Sequence, residues 1–566
     1  MVTWWVALSG AARAQDAGAD ADPGAAGGRA VSFVDDFELR YWQLDQRLPD
    51  PADVPVFDYV EQVNRLNANA TVGAWSFAAQ IDEVALFGDR YYLDDVLYLE
   101  RDLTTEGLPN VFGSGRLGDT AYANLEKVRA TVEGDWGSLS LGDSYVAFGR
   151  GIALNLNRNV DIDIDTSVQG AKAVLRPGAW DITLVAGQAN KQQVFQDNPN
   201  VLLQGDRRHL VAGVRAERFG LGPANLGAHA VVYDFVADPG FSASVEELEP
   251  FDVVAGGATA EVVGVGGVDA FVEGDVFGFG QNQPSPTDDA ADVGYALYGS
   301  TSFYPGPFVV LIEGKRYDQS ERINATLGPE LYEIAVAPTL EYERVVTEDS
   351  SATLNSNDVY GGRVQVDWSA VPQKLVPYVA VAAFRDLDTG GAHFNDVPET
   401  IVHPTAGFEW LDGELAMLLN GGVRFDDRDG DTEGADRQAH GDLAFKFPLG
   451  GGLSGDVAIQ AESFHWGVNA LQQRDYFEAE TSWGLAYKSA VALTAFVDTT
   501  TNPLVSTTGN VSGPVYAGGE LQLKPGKATT LKLFYGAQKA GIRCSGGQCR
   551  QMPGFEGARL SAVGTF

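Results

Sequence analysis

Phe477-Glu478-Ala479-Glu480-Thr481-Ser482-Trp483-Gly484-Leu485-Ala486-Tyr487 changes character at every residue. Phe477, Ala479, Thr481, Trp483, Leu485 and Tyr487 share one parity, and Glu478, Glu480, Ser482 and Gly484 share the other. Successive side chains of a strand point to opposite faces, so this segment reads as a strand with one apolar and one polar face. Three further segments repeat the pattern. In 515–523, Val515, Ala517, Gly519, Leu521 and Leu523 oppose Tyr516, Gly518, Glu520 and Gln522, with Lys524 next on the polar parity. In 439–447, Ala439, Gly441, Leu443, Phe445 and Phe447 oppose His440, Asp442 and Lys446. In 453–461, Leu453, Gly455, Val457, Ile459 and Ala461 oppose Asp456 and Gln460.

Tight turns join such segments in pairs: Glu133-Gly134-Asp135-Trp136, Arg176-Pro177-Gly178, Tyr304-Pro305-Gly306, Leu411-Asp412-Gly413-Glu414 and Lys524-Pro525-Gly526-Lys527. Each supplies the Gly, Pro or Asp that a hairpin turn demands. Between pairs lie longer polar connections, among them 84–120, 148–165, 190–207, 237–250 and 319–356. Short connections alternating with long ones predict an all-β chain: a single antiparallel membrane barrel of about 24 strands, with short periplasmic turns and long external loops. The count rises to about 26 if 88–100 and 331–345 also pair. A soluble sandwich or propeller alternates too. Its apolar face would be rich in Ile, Leu and Val, whereas this one is thick with Ala, Gly, Val and aromatics, and no propeller-length repeat is evident.

Composition agrees with the barrel. The chain has 566 residues and is 45% hydrophobic, yet it has no apolar run of the ~18 residues a spanning helix needs. The net charge of -38 excludes nucleic acid as a partner, because phosphate binding needs basic patches. The expected partners are outer-membrane lipid and the barrel-assembly machinery, with any solute or protein partner undefined. Residues 1–14 read as a secretory signal, with Val2 to Leu8 apolar and Ala12-Arg13-Ala14 before Gln15, although no Lys or Arg precedes the apolar run. Residues 15–30 read as a disordered lead-in and 31–566 as the barrel, both termini periplasmic.

Trp136 and Trp180 stand where strands leave tight turns, Trp368 and Trp410 where strands enter them. Amphipathic rings prefer the membrane–water interface, so these four are expected in the periplasmic aromatic girdle; packing under a turn is the alternative. Cys544 and Cys549, in Cys-Ser-Gly-Gly-Gln-Cys, suit a local disulfide in an external loop, against two free thiols. The final segment, Ala558 to Phe566, ends as outer-membrane assembly signals end.

The chain also resembles an uncharacterised family of large bacterial outer-membrane barrels, a domain of unknown function. The residues that carry the likeness are Gly142-Asp143-Ser144-Tyr145-Val146-Ala147-Phe148-Gly149-Arg150-Gly151, Asp165-Thr166-Ser167 with Gly170-Ala171-Lys172, Pro338-Thr339-Leu340-Glu341-Tyr342 and Asn357-Asp358-Val359-Tyr360-Gly361-Gly362-Arg363. The likeness runs over residues 120–370; it implies fold and location and brings no activity.

Few residues suggest chemistry. Arg150, between two glycines at the start of a long connection, either presents its guanidinium to the lumen or bridges wall acids. Asp161, Asp163 and Asp165 share a strand face and either bind a cation or face water. Asp427-Arg428-Asp429-Gly430-Asp431 begins like a calcium loop, but Thr432 stands where that loop needs Gly and Gln438 where it needs Glu, so a plain acidic loop is expected. There is no HExxH, GxSxG, P-loop or CxxC, and no enzyme activity, cofactor or metal is expected. The polar parity nominates Glu313, Lys315, Glu478, Glu480, Glu520 and Lys524, beside Arg150 and the three Asp, as lumen-facing. A closed barrel of this size would be about 45 Å across and must be narrowed. Loops 84–120 and 319–356, which mix aromatics with charge, are the expected filling. A loop-constricted solute channel, a non-conducting anchoring barrel and a soluble secreted β-protein remain the three readings.

Overall fold

The computed structural model describes residues 29–44, 57–88, 120–159, 164–191, 209–235, 251–280, 293–318, 358–387, 399–428, 436–466, 474–501, 515–539, 541–545, 548–552 and 555–566. Twenty-four antiparallel strands form the wall, each paired to its sequence neighbours. The first, Arg29–Leu44, pairs with Phe57–Val72 on one side and with the last, Phe555–Thr565, on the other, and this closes the barrel. Backbone bonds carry the seam to the final residue: the Phe566 N–H donates to Phe33 O (2.9 Å) and the Phe33 N–H to Phe566 O (3.0 Å).

The count of 24 holds against 26. Trp75–Gly88 pairs directly with Thr120–Gly134, and Phe308–Asp318 directly with Val359–Trp368, so the described strands close the wall at 24; 89–100 and 331–345 lie outside the described residues. Residues 84–88, expected in a loop, belong to the wall, and the wall begins two residues before 31.

Connections of two to six residues alternate with connections of seven to forty along the chain. The short ones are hairpin turns with the residues they require. Gly266 and Gly267 both have positive φ (61° and 79°), the left-handed pair of a two-residue turn that a side chain would strain. Arg29 stands opposite Val72, beside such a turn, so the first strand begins at the short-turn end, where Phe566 also lies.

The burial pattern is that of a soluble protein turned inside out. On the strand Arg474–Tyr487, Phe477, Trp483, Leu485 and Tyr487 are exposed while Glu478 is 3% exposed. On Val268–Phe279, Val272 and Val276 are exposed while Glu273 and Asp275 are buried. An apolar band around the whole outer face exceeds what soluble proteins leave uncovered, and a closed barrel leaves no backbone group unpaired toward lipid. The chain is a membrane-spanning β-barrel.

Candidate functional site

One wall strand stops early. Gly137–Ser144 is eight residues long, against fifteen for its neighbour Thr120–Gly134. The chain then leaves the wall and forms a small hairpin, Val146–Phe148 with Leu154–Leu156, three residue pairs long. This segment is packed against the inner wall. Phe148, Ile152, Ala153, Leu154 and Leu156 are all at most 2% exposed and join one cluster with Val211, Val231, Tyr233, Val253, Ala255 and Phe277, which face inward. The Phe148 ring stacks obliquely on His229 (5.9 Å), and Tyr233 Oη donates to the Ala153 carbonyl.

The departure from the wall needs special residues. Gly142 has φ 94°, and a Cβ there would run into the Val128 carbonyl. The next residue, Asp143, repairs the breach. Its carboxylate accepts from the Val128 N–H (2.7 Å), Ser167 Oγ (3.0 Å) and Asn190 Nδ2 (2.7 Å), three donors on three other stretches of wall. Glu126 is the extra residue of a bulge, since Gln80 pairs with Lys127 and Ile81 with Leu125. Its carbonyl accepts a second bond from Asn190 Nδ2 (3.0 Å). Below the hairpin, Asp165 is paired with Lys127, accepts from Tyr145 Oη (2.7 Å) and lies 3.6 Å from Arg158. Lys172 Nζ donates to the Tyr145 carbonyl (2.6 Å). Burial, and then the Asp165 carboxylate, pushes the Tyr145 phenol above its ordinary range.

The hairpin's tip lies on three wall strands. Arg150 is exposed, and its guanidinium sits over Phe271 (4.6 Å) and Tyr298 (5.9 Å). A wall acid does meet this residue, but through the backbone: the Arg150 N–H donates to Glu273 Oε2 (2.6 Å). Glu273, Asp275 and His229 form a buried group at this point, with His229 Nε2 2.6 Å from Asp275 Oδ1.

The other nominated residues are dispersed. Glu313 accepts from Tyr298 Oη (2.8 Å) and from Arg363 Nε (2.9 Å), and Lys315 lies over the Phe384 ring (4.5 Å). On the far side of the barrel, Glu478 accepts from Thr500 Oγ1 (3.0 Å) and Lys539 Nζ (2.8 Å). Glu480 faces Gln460 and Asp498 across its two strand pairings. Glu520 is 3.9 Å from Lys532 Nζ, and Lys524 follows its strand at a short turn. Trp136, Trp180, Trp368 and Trp410 are exposed at the short-turn end, with Phe308 stacked on Trp368. Trp75 and Trp483, not singled out by the sequence, are exposed near the same end. Cys544 and Cys549 stand directly opposite one another across a two-stranded ribbon, Gly541–Ser545 with Gln548–Met552. Asp161, Asp163, the acidic loop at 429–431 and the segment 319–356 lie outside the described residues.

Sequence reasoning missed the hairpin. It placed 148–165 among the long connections and looked for the filling of the lumen in 84–120 and 319–356. It also missed the His229 group, whose members come from two strands some forty residues apart.

No protein-family model matches the chain, and no curated protein matches it. Solved structures do. The copper transporter OprC is 10% identical (TM-score 0.42), with 96% of this chain and 81% of that one covered. The siderophore receptor PirA from Pseudomonas aeruginosa is 6% identical (TM-score 0.43; 95% and 81%). The outer membrane protein OpdK, also from Pseudomonas aeruginosa, is 11% identical (TM-score 0.36; 74% and 97%). What this chain does is therefore read from its own residues.

Proposed function

We propose that this chain is an integral outer-membrane solute channel whose lumen is narrowed from one side by the hairpin Val146–Leu156. The observation that supports this reading is the hairpin itself, a piece of wall strand turned inward and anchored by its own apolar side chains. A barrel that only anchored partners would gain nothing from interrupting its wall in this way. Inward-facing acid outweighs base, in keeping with the net charge of -38, so the passage favours cations and neutral polar solutes over anions.

The remaining assignments belong to the same proposal. The signal at 1–14 is removed, both termini are periplasmic, and the six exposed tryptophans at the short-turn end form the periplasmic girdle. The strand ending in Phe566 is recognised by the barrel-assembly machinery. Arg150, Glu313, Glu480 and Glu520 line the water-filled path, and Lys315 and Glu478 lie buried beneath it. The chain is a member of the uncharacterised barrel family it resembles, and it is not an enzyme.

The test is conductance of the purified, detergent-solubilised barrel in planar bilayers under a KCl gradient. Steady channels with a reversal potential of cation-preferring sign are expected. An assembled barrel, shown by heat-modifiable migration, that conducts nothing would instead be the anchoring protein.

A further inference from the structure

We propose that His229, Glu273 and Asp275 bind a divalent first-row metal ion, and that the ion locks the Gly149–Arg150 turn of the hairpin to the barrel wall. Metal binding is independent of whether the barrel conducts, so this proposal and the channel reading fail separately.

The three side chains project from neighbouring strands onto one spot. His229 stands opposite Gly257 on the adjacent strand, and Gly257 stands opposite Asp275 on the next, so all three lie on one row across the sheet. The middle position has to be glycine. A Cβ at Gly257 would run into Asp275 Oδ1 and come within 2.6 Å of His229 Nε2. Glu273 is two residues from Asp275 and therefore on the same face. One ligand atom from each of the three residues falls within 4.8 Å of the other two. Gly149 closes the spot from the lumen side, where a Cβ would collide with the Glu273 carboxylate.

Burial makes the group unusual. His229 is 6%, Glu273 0% and Asp275 2% exposed. Glu273 Oε1, Asp275 Oδ2 and His229 Nδ1 have no hydrogen-bond partner among the described residues. Two adjacent carboxylates removed from water repel one another, and orphaned buried acceptors cost free energy. The guanidinium of Arg150 is spent on the Phe271 and Tyr298 rings, and only its backbone N–H reaches Glu273. A dication neutralises both carboxylates and occupies the open oxygens. One imidazole nitrogen with two carboxylate oxygens is a borderline donor set, which favours zinc or manganese over calcium or magnesium. Binding replaces the direct contact between His229 Nε2 and Asp275 Oδ1 with bonds from both to the ion. Because Glu273 also holds the Arg150 N–H, an ion on Glu273 stiffens the turn of the hairpin.

The test uses the full-length folded barrel equilibrated with Zn2+ alone, dialysed, and assayed for metal by mass spectrometry. One zinc per chain is expected, with Co2+ giving a visible absorption band that Zn2+ displaces. His229→Gln and Glu273→Gln should each weaken retention by more than about a hundredfold, the upper end of what losing an outer-shell partner costs. His403→Gln, which alters a buried histidine pair elsewhere in the wall, His403 with His440, should leave it unchanged. Amide exchange over 146–156 should slow at least tenfold with Zn2+. Absence of retained zinc in the unsubstituted barrel, or retention insensitive to both site variants, would overturn the site. Zinc bound without slowed exchange would overturn the lock. The cobalt spectrum is read on the unsubstituted chain, so a variant that fails to assemble does not spare the proposal.

Discussion

On the proposed channel reading, Leu154→Ala should raise conductance without unfolding the barrel. Leu154 is 0% exposed and lies at the heart of the hairpin's contact with the inner wall. Truncating a buried Leu to Ala costs about 2–5 kcal/mol, from lost transfer energy and the cavity left behind. The loss falls on a small unit. The hairpin has three paired positions, and a two-stranded ribbon of that size has little stability of its own. The wall is held by 24 strands in a closed ladder and does not depend on Leu154. A loss of about 3 kcal/mol multiplies the ratio of undocked to docked hairpin roughly a hundredfold. Single-channel recording in planar bilayers should therefore show transitions to a second, higher conductance level that the unsubstituted barrel visits rarely. Leu493→Ala, at an outward position that is 54% exposed, is the matched control and should leave the traces unchanged. The reasoning is refuted if Leu154→Ala assembles with normal heat-modifiable migration and gives one unchanged conductance level.

Two further outcomes follow from the same geometry. Asp143→Ala strips the acceptor from the Val128 N–H, Ser167 Oγ and Asn190 Nδ2 and should lower barrel stability by about 1–3 kcal/mol for each donor left unpaired. A fall in the temperature at which the folded band converts to the unfolded band on gels is the measurement, and Asp143→Asn should recover part of the loss. Cys544 and Cys549 face each other in register, so alkylation without prior reduction should label neither thiol in mass analysis; full labelling of both would show them free.

How much of this was legible depends on the period of the signal. Strands repeat every two residues, and both faces of this wall are chemically distinct, so parity gives the strand number and places the segments at 439–447, 453–461, 477–487 and 515–523 within a few residues of the strands that form there. The departure of the chain into the lumen is also written in the parity, but as a single breach. Leu139 and Leu141 set the apolar side, and the next residue on that side is Asp143. A carboxylate has no place on a lipid-facing position, so the strand had to leave the wall there, and Gly142 just before it supplies the bend. The connection that follows carries Ile152, Leu154 and Leu156, more apolar than a loop facing water. Read together, these would have found the hairpin. Loop length points instead to 84–120 and 319–356, of which 89–119 and 319–356 lie outside the described residues.

The His229 group illustrates what one sequence withholds. Parity places His229, Glu273 and Asp275 on the inner face, but nothing in the spacing says that His229 and Asp275 share a row. That depends on the register of two successive pairings, Ala224–Phe235 with Phe251–Val265 across a long connection and Phe251–Val265 with Val268–Phe279 across a tight turn, the second shifted by a bulge at 262–265. A slip of one residue in either would flip a whole strand and scatter the group.

The breach in the wall and the inward hairpin are one device. Several of the residues that carry the likeness to the uncharacterised family between 142 and 172 serve it. Gly142 bends the chain, Asp143 ties three wall stretches together, Tyr145 binds Asp165, and Lys172 holds the Tyr145 carbonyl. Phe148 and Gly149 then fit the hairpin to Gly213 and Glu273, positions where a Cβ on either glycine would collide. A loop added at a strand end can be lengthened or lost with little consequence for the wall. This hairpin cannot, because the strand it interrupts leaves donors on Val128 and Asn190 that its own flanking residues must satisfy. Its position in the lumen is therefore fixed by the hydrogen bonding of the wall, and its mobility is set by the apolar contacts of six side chains beyond the breach.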